Sequence, residues 1–101
     1  MELLTEELRQ KFPKPYTTEH KDPKDVKVIA KFFAPWTGWT WYATEFDGED
    51  IFFGFVRGLE NELGYFSLSE LQGIKGPFGL AIERDLYFGE HTLAEVMEGQ
   101  L

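Results

Sequence analysis

Between residues 26 and 66 this chain runs through four stretches of β-branched and aromatic residues separated by short, polar or Gly/Pro-marked breaks. That punctuation constrains the fold more than any other feature. Val26–Phe33 reads as a strand, with Lys27 and Lys31 on the face opposite Val26, Val28 and Ala30. Ala34-Pro35-Trp36-Thr37-Gly38 is a connection, and Trp39–Phe46 is a second strand. Asp47-Gly48-Glu49-Asp50 carries an Asp-Gly turn signal, and Ile51–Gly58 returns. Leu59-Glu60-Asn61-Glu62 turns again into a shorter strand, Leu63–Phe66. Connections this short favour antiparallel neighbours, so the middle of the chain is expected to be a meander.

Helical signals flank the meander. Thr5-Glu6-Glu7-Leu8 opens a short helix whose apolar face is Leu4, Leu8 and Phe12, and Pro13 and Pro15 end it. Residues 16–25 are polar and read as a loop. Ser67-Leu68-Ser69-Glu70 and Thr92-Leu93-Ala94-Glu95 both have capping-box spacing, the first helix being cut short by Gly73 and Gly76-Pro77. Ile82–Phe88 is a possible fifth strand. The expectation is a single α+β domain over residues 1–101: a short helix and polar loop (1–25), an antiparallel sheet region of four or five strands (26–88) and a C-terminal helix (91–99), with the helices covering a face.

Composition narrows the chemistry. At 101 residues there is room for one core, and the 17% aromatic content supplies most of it. The absence of cysteine excludes disulfides, thiolate metal sites and thiol nucleophiles. The first residues are acidic where a signal peptide needs positive charge, and the apolar run Ile51–Val56 is too short for a bilayer, so a cytoplasmic protein without membrane contact is expected. Residues 1–31 hold seven Lys/Arg against six Asp/Glu, whereas residues 32–101 hold three against twelve. Such a body repels phosphate, which disfavours direct nucleic-acid binding, and it suits a basic partner or simply aids solubility.

No catalytic set emerges. His20 lies in the polar loop and His91 precedes the last helix, neither with a motif partner. Asp47, Glu49 and Asp50 lack calcium-loop spacing and read as a solvated hairpin turn. Gly73–Gly79 lacks the Lys-Ser/Thr of a phosphate loop. Glu83 and Asp85 share a strand face with Arg84 opposite, which reads as a structural ion pair involving Arg84. No cofactor and no metal is expected. On Trp39–Phe46, alternation sends Trp39, Trp41 and Ala43 one way and Thr40, Tyr42, Thr44 and Phe46 the other, and Phe52-Phe53 sends a ring to each side. Trp39 and Trp41 form a wall for helix packing or a surface for stacking a ligand.

Ala30-Lys31-Phe32-Phe33, Gly38-Trp39-Thr40-Trp41-Tyr42-Ala43-Thr44-Glu45-Phe46, Glu62-Leu63-Gly64-Tyr65-Phe66-Ser67-Leu68 and Ile82-Glu83-Arg84-Asp85-Leu86 together resemble one bacterial family, the domain of unknown function 2958, often called plasmid-related protein. Leu3-Leu4-Thr5 and Thr92-Leu93-Ala94-Glu95 are similar too, so the resemblance spans nearly the whole chain. It implies a setting on mobile elements such as plasmids, and no catalytic residues.

The leading expectation is a non-enzymatic acidic module that binds a protein with a basic surface, acting as an inhibitor or adaptor on a nucleic-acid-binding partner. A sharper version has the acidic body imitate DNA. The alternative is a small-molecule binder or minor enzyme with an aromatic pocket of Trp39, Trp41 and Tyr42. In a meander, alternate turns share an end of the sheet, which brings the Ala34–Gly38 connection and the Leu59–Glu62 turn within two strand spacings, roughly 10 Å. Trp36, Glu60 and Glu62 are therefore the candidate partner-binding residues, unless Trp36 folds back to close the core.

Overall fold

Asp47 sets the geometry of the central hairpin. Its carboxylate accepts the backbone N–H groups of Glu49 (2.8 Å), Asp50 (2.8 Å) and Ile51 (3.0 Å), and Gly48 takes the positive φ of +91° that the turn requires. These three donors also hold the Asp47 carboxyl below its ordinary value, the Glu49 N–H contributing most. The hairpin joins β3 (Thr40–Phe46) to β4 (Ile51–Arg57), which runs on into β5 (Asn61–Ser67). In the computed structural model, which describes residues 1–99 and 101, the five-stranded sheet has the order β5-β4-β3-β2-β6. Every pairing in it is antiparallel, with β2 at Ala30–Phe33 and β6 at Glu83–Arg84. The chain is thus an α+β domain with a meander from β2 to β5.

The first expected strand divides. β1 (Lys27–Val28) leaves the sheet to pair with β7 (His91–Thr92), and only residues 30–33 join the main sheet. Val26 and Val28 consequently pack on the opposite side of the sheet from Ala30, against the simple alternation. The expected fifth strand shrinks to Glu83–Arg84 and lies beside β2, reached by a crossover. The ion pair expected of Arg84 is not made: Arg84 donates to the carbonyls of Glu2 (2.9 Å) and Leu3 (2.8 Å), and Asp85 pairs instead with Lys31 at 3.4 Å.

A bulge redirects the second half of β3. Ala43 lies opposite Gly54 and Glu45 opposite Phe53, leaving Thr44 as the extra residue, its hydroxyl donating to the Phe53 carbonyl at 3.1 Å. Phe46 therefore joins Trp41 and Ala43 rather than Tyr42, and Glu45 moves to the Tyr42 side. One face of the sheet carries Phe32, Trp41, Phe46, Phe52 and Phe66. It is covered by Leu3 and Leu4 at the N-terminus, by Leu8 beside them on α1 (Glu6–Arg9), and by Leu68 and Leu71 of α2 (Leu68–Gly73). Thr5 caps α1 by accepting from Leu8 N, and Ser67 caps α2 by accepting from Glu70 N.

The other face is covered only in part. Tyr42 and Phe55 pack with Val26, Val28 and the buried Leu93 and Val96 of α3 (Leu93–Glu98). Thr92 and Glu95 form a full capping box at the start of α3, and the Arg57 guanidinium donates to the Val96 and Gly99 carbonyls at its end. Beyond that cover, Ile51, Phe53, Leu63 and Tyr65 form an apolar strip along β4 and β5, only Phe53 among them being less than exposed.

Candidate functional site

Three loops meet at the end of the sheet where Trp36 lies. The 34–39 connection is a closed turn: Thr37 N donates to Ala34 O at 3.1 Å, Trp39 N to the Thr37 hydroxyl at 3.0 Å, and Ala34 N to Trp39 O at 3.1 Å. Trp39 lies against Gly58 in the β4–β5 turn, where a Cβ would come within 2.3 Å of its ring. Trp36 lies against Gly76 in the loop after α2, where a Cβ would come within 2.6 Å. Only glycine permits either approach, so these two residues seat the rings and tie the three loops together.

The rings of Trp39 and Trp41 stack at 5.8 Å with 30° between their planes. With Ala34, Trp36, Thr37 and Ile74 they line an open, almost wholly apolar cleft of about 300 Å³. Trp41 is the buried floor, 7% exposed, while Trp36 and Trp39 are half-buried. Trp36 thus both packs against the core and lines the cleft. Glu60 and Glu62 are exposed on the turn and strand beyond Gly58; Glu62 is directly opposite Val56, which is opposite Trp41. Trp39 is the tryptophan seated on that turn, whereas Trp36 lies toward Gly76. Tyr42 belongs to no shared pocket with Trp39 and Trp41: it is buried on the other face, its hydroxyl donating to the Leu101 carbonyl.

Two residues that the sequence reading passed over are prominent here. Phe78 is fully exposed and holds a positive φ of 57° at the tip of the 75–81 loop, which Gly76 N to Leu80 O (2.8 Å) and a bridge between Lys75 and Ala81 close. A bulky residue in the left-handed region is strained, and strain of this kind collects at binding sites. The signal was present, since a phenylalanine set between Gly-Pro and Gly has no strand or helix to bury it. Leu59, 93% exposed, is the second, on the β4–β5 turn.

Elsewhere the polar groups serve the fold. His91 Nδ1 lies 3.2 Å from Glu95 Oε2 and its ring packs, tilted, against Phe88 at 4.6 Å, so the wide cleft between Lys11, Lys27 and His91 borders a helix cap already engaged in its own hydrogen bonds. His20 is exposed and lies 3.4 Å from its neighbour Glu19. Asp50 accepts from Ser69 N and its hydroxyl, both at 2.8 Å, fastening α2 to the hairpin. Among the described residues no three His, Cys, Asp or Glu side chains are grouped to hold a metal, and no helix is long and apolar enough to cross a membrane.

Fold and clefts define a small α+β domain with an antiparallel five-stranded sheet and an aromatic cleft at one end. The family model described as protein of unknown function (DUF2958) matches residues 3–98, and the chain belongs to that family. No curated protein and no solved structure matches it.

Proposed function

We propose that this domain is a non-enzymatic binding module whose partner is a protein with a basic surface, docked at the tryptophan-lined end of the sheet. The observation that carries this reading is the grouping of Trp36, Trp39, Leu59 and Phe78 with the carboxylates of Glu60 and Glu62 at one end. An exposed apolar patch rimmed by polar residues is a common mark of a protein interaction site. An apolar anchor bordered by charge is the usual anatomy of a protein hot spot, and the charge sets the encounter rate. The acidic balance of residues 32–101 supports a basic partner, such as a cytoplasmic nucleic-acid-binding protein that a plasmid-borne inhibitor or adaptor would engage.

The test is affinity capture from the host with the tagged wild-type chain, a Phe78→Ser/Leu59→Ser variant and a Glu60→Lys/Glu62→Lys variant. Both apolar side chains are exposed, so their removal leaves the fold intact. A basic protein should be retained by the wild type and lost by the first variant. With that protein purified, the second variant should associate more slowly, by a margin that shrinks as salt is added. Equal capture by all three chains would remove this end of the sheet from the function.

The apolar character of the open Trp36–Trp39–Trp41 cleft favours one other reading, a small apolar ligand. Saturable quenching of tryptophan fluorescence by a member of a nucleotide and metabolite panel would support it.

A further inference from the structure

At the opposite end of the sheet, on its partly covered face, Glu45, Phe53 and Tyr65 form a row across β3, β4 and β5. Phe53 and Tyr65 meet edge to face at 5.0 Å. Pro15 and Tyr16 of the N-terminal loop complete the wall of a cleft of about 430 Å³, with Ile51 beside them. Glu45 is only 4% exposed, and its carboxylate holds the loop in place: Oε1 accepts Tyr16 N at 2.8 Å, and Oε2 accepts Thr18 N at 3.0 Å and the Thr18 hydroxyl. To meet Glu45, Tyr16 adopts a φ of +68°. The strain presents its ring beside Tyr65 rather than burying it.

We infer that the cleft between Tyr16, Glu45, Phe53 and Tyr65 receives the alkylammonium or guanidinium side chain of a protein partner. Ring faces attract a cation, and a carboxylate behind them adds a full opposing charge. Among the described residues no Lys, Arg or His is within ion-pair distance of Glu45. Lys14 and Lys21, on the same loop, are exposed and unpaired with it. The Tyr65 phenol is held above its ordinary value by desolvation first, then by Tyr16, with Glu45 and Glu19 adding to it. A protein side chain suits the site better than a free amine. Tyr16 and Tyr65 are 63% and 61% exposed, so a small ligand would leave most of both rings wet, whereas a side chain brings its own surface to cover them.

This assignment rests on the reading that the partner is basic, but uses a separate surface, so the two can fail separately. The test is an amide NMR titration at constant ionic strength with acetyl-Gly-Lys-Gly amide, its arginine and norleucine counterparts, and spermidine. The lysine and arginine peptides should shift Tyr16, Glu45, Phe53 and Tyr65 saturably, and the norleucine peptide should not. Tyr65→Ala, at an exposed edge position, should weaken the lysine peptide roughly three- to ten-fold. Glu45→Gln should abolish the shifts; because it also loosens the loop, Tyr65→Ala is the deciding variant. No shift with either cationic peptide at tens of millimolar, or equal shifts with norleucine, would overturn the inference and leave the tryptophan end untouched. Tighter binding of spermidine than of the peptides would overturn the protein source. Conversely, shifts here with no capture at the tryptophan end would sink the earlier docking site and sustain this one.

Discussion

The two faces of the sheet are built from similar residues and differ in how they are closed. One is sealed by the N-terminal segment and α2 over a run of interlocking rings, with Phe52 meeting Phe46 at 4.7 Å, Phe66 at 5.3 Å and Phe32 at 5.5 Å. The other is sealed by α3 over Tyr42 and Phe55, and leaves Leu63 and Tyr65 in solvent. The difference teaches how stability is divided in a chain this small. Apolar burial contributes about 25 cal/mol per Å², so the sealed face carries most of the stability while the partly open one leaves apolar side chains in solvent.

The sharpest way to break that comparison is at the sealed face. Trp41→Ala should cost about 3–5 kcal/mol, since it empties a buried site between β2 and β4. Denaturant unfolding measures it, and a loss below ~1 kcal/mol would mean that the sealed face does not dominate stability.

On the partly open face the cover itself is the weak point. Arg57→Ala leaves the Val96 and Gly99 carbonyls without their donor and should cost about 1.5–3 kcal/mol, the range for hydrogen bonds to a charged group. Hydrogen exchange should show faster amides in residues 93–98 and unchanged ones in β3. Uniform acceleration across the sheet would mean that the two faces unfold as one unit.

The smallest effect concerns the start of α3. The hydrogen bond from His91, and then the Thr92 N–H, hold the Glu95 carboxyl below its ordinary value of 4.5. A carboxyl lowered in the folded state adds stability above its unfolded value, and that contribution is lost as pH falls through the folded value. The cap should therefore weaken only in acid, below about pH 4.5. Carboxyl NMR should show Glu95 titrating below the ordinary glutamate value, with His91→Ala moving it upward; an unmoved titration would detach His91 from the cap.

Much of the architecture was legible without coordinates because its causes are local. The Asp-Gly turn, the capping signals at Thr5, Ser67 and Thr92, and the short breaks between aromatic runs each act within a few residues. They determined an antiparallel meander with helices at its margins, and meander geometry alone brought the 34–38 and 59–62 loops to one end. Alternation along Ile51–Arg57 likewise sends Phe52 and Phe53 to opposite faces.

What only the tertiary structure decided depends on partners distant in sequence. The bulge at Thr44 arises from pairing with β4, and it alone turns Phe46 into the sealed core and Glu45 toward Tyr16, 29 residues away. The parting of β1 from β2 requires β7 to compete for Lys27 and Val28, and Arg84 finds the Glu2 and Leu3 carbonyls instead of a carboxylate. Trp36 settles against Gly76 because that glycine, 40 positions on, leaves room for a ring. Local propensity acts over a turn or a hairpin. Register, bulges and ring seats are set by the mutual packing of segments that meet only once the sheet has formed.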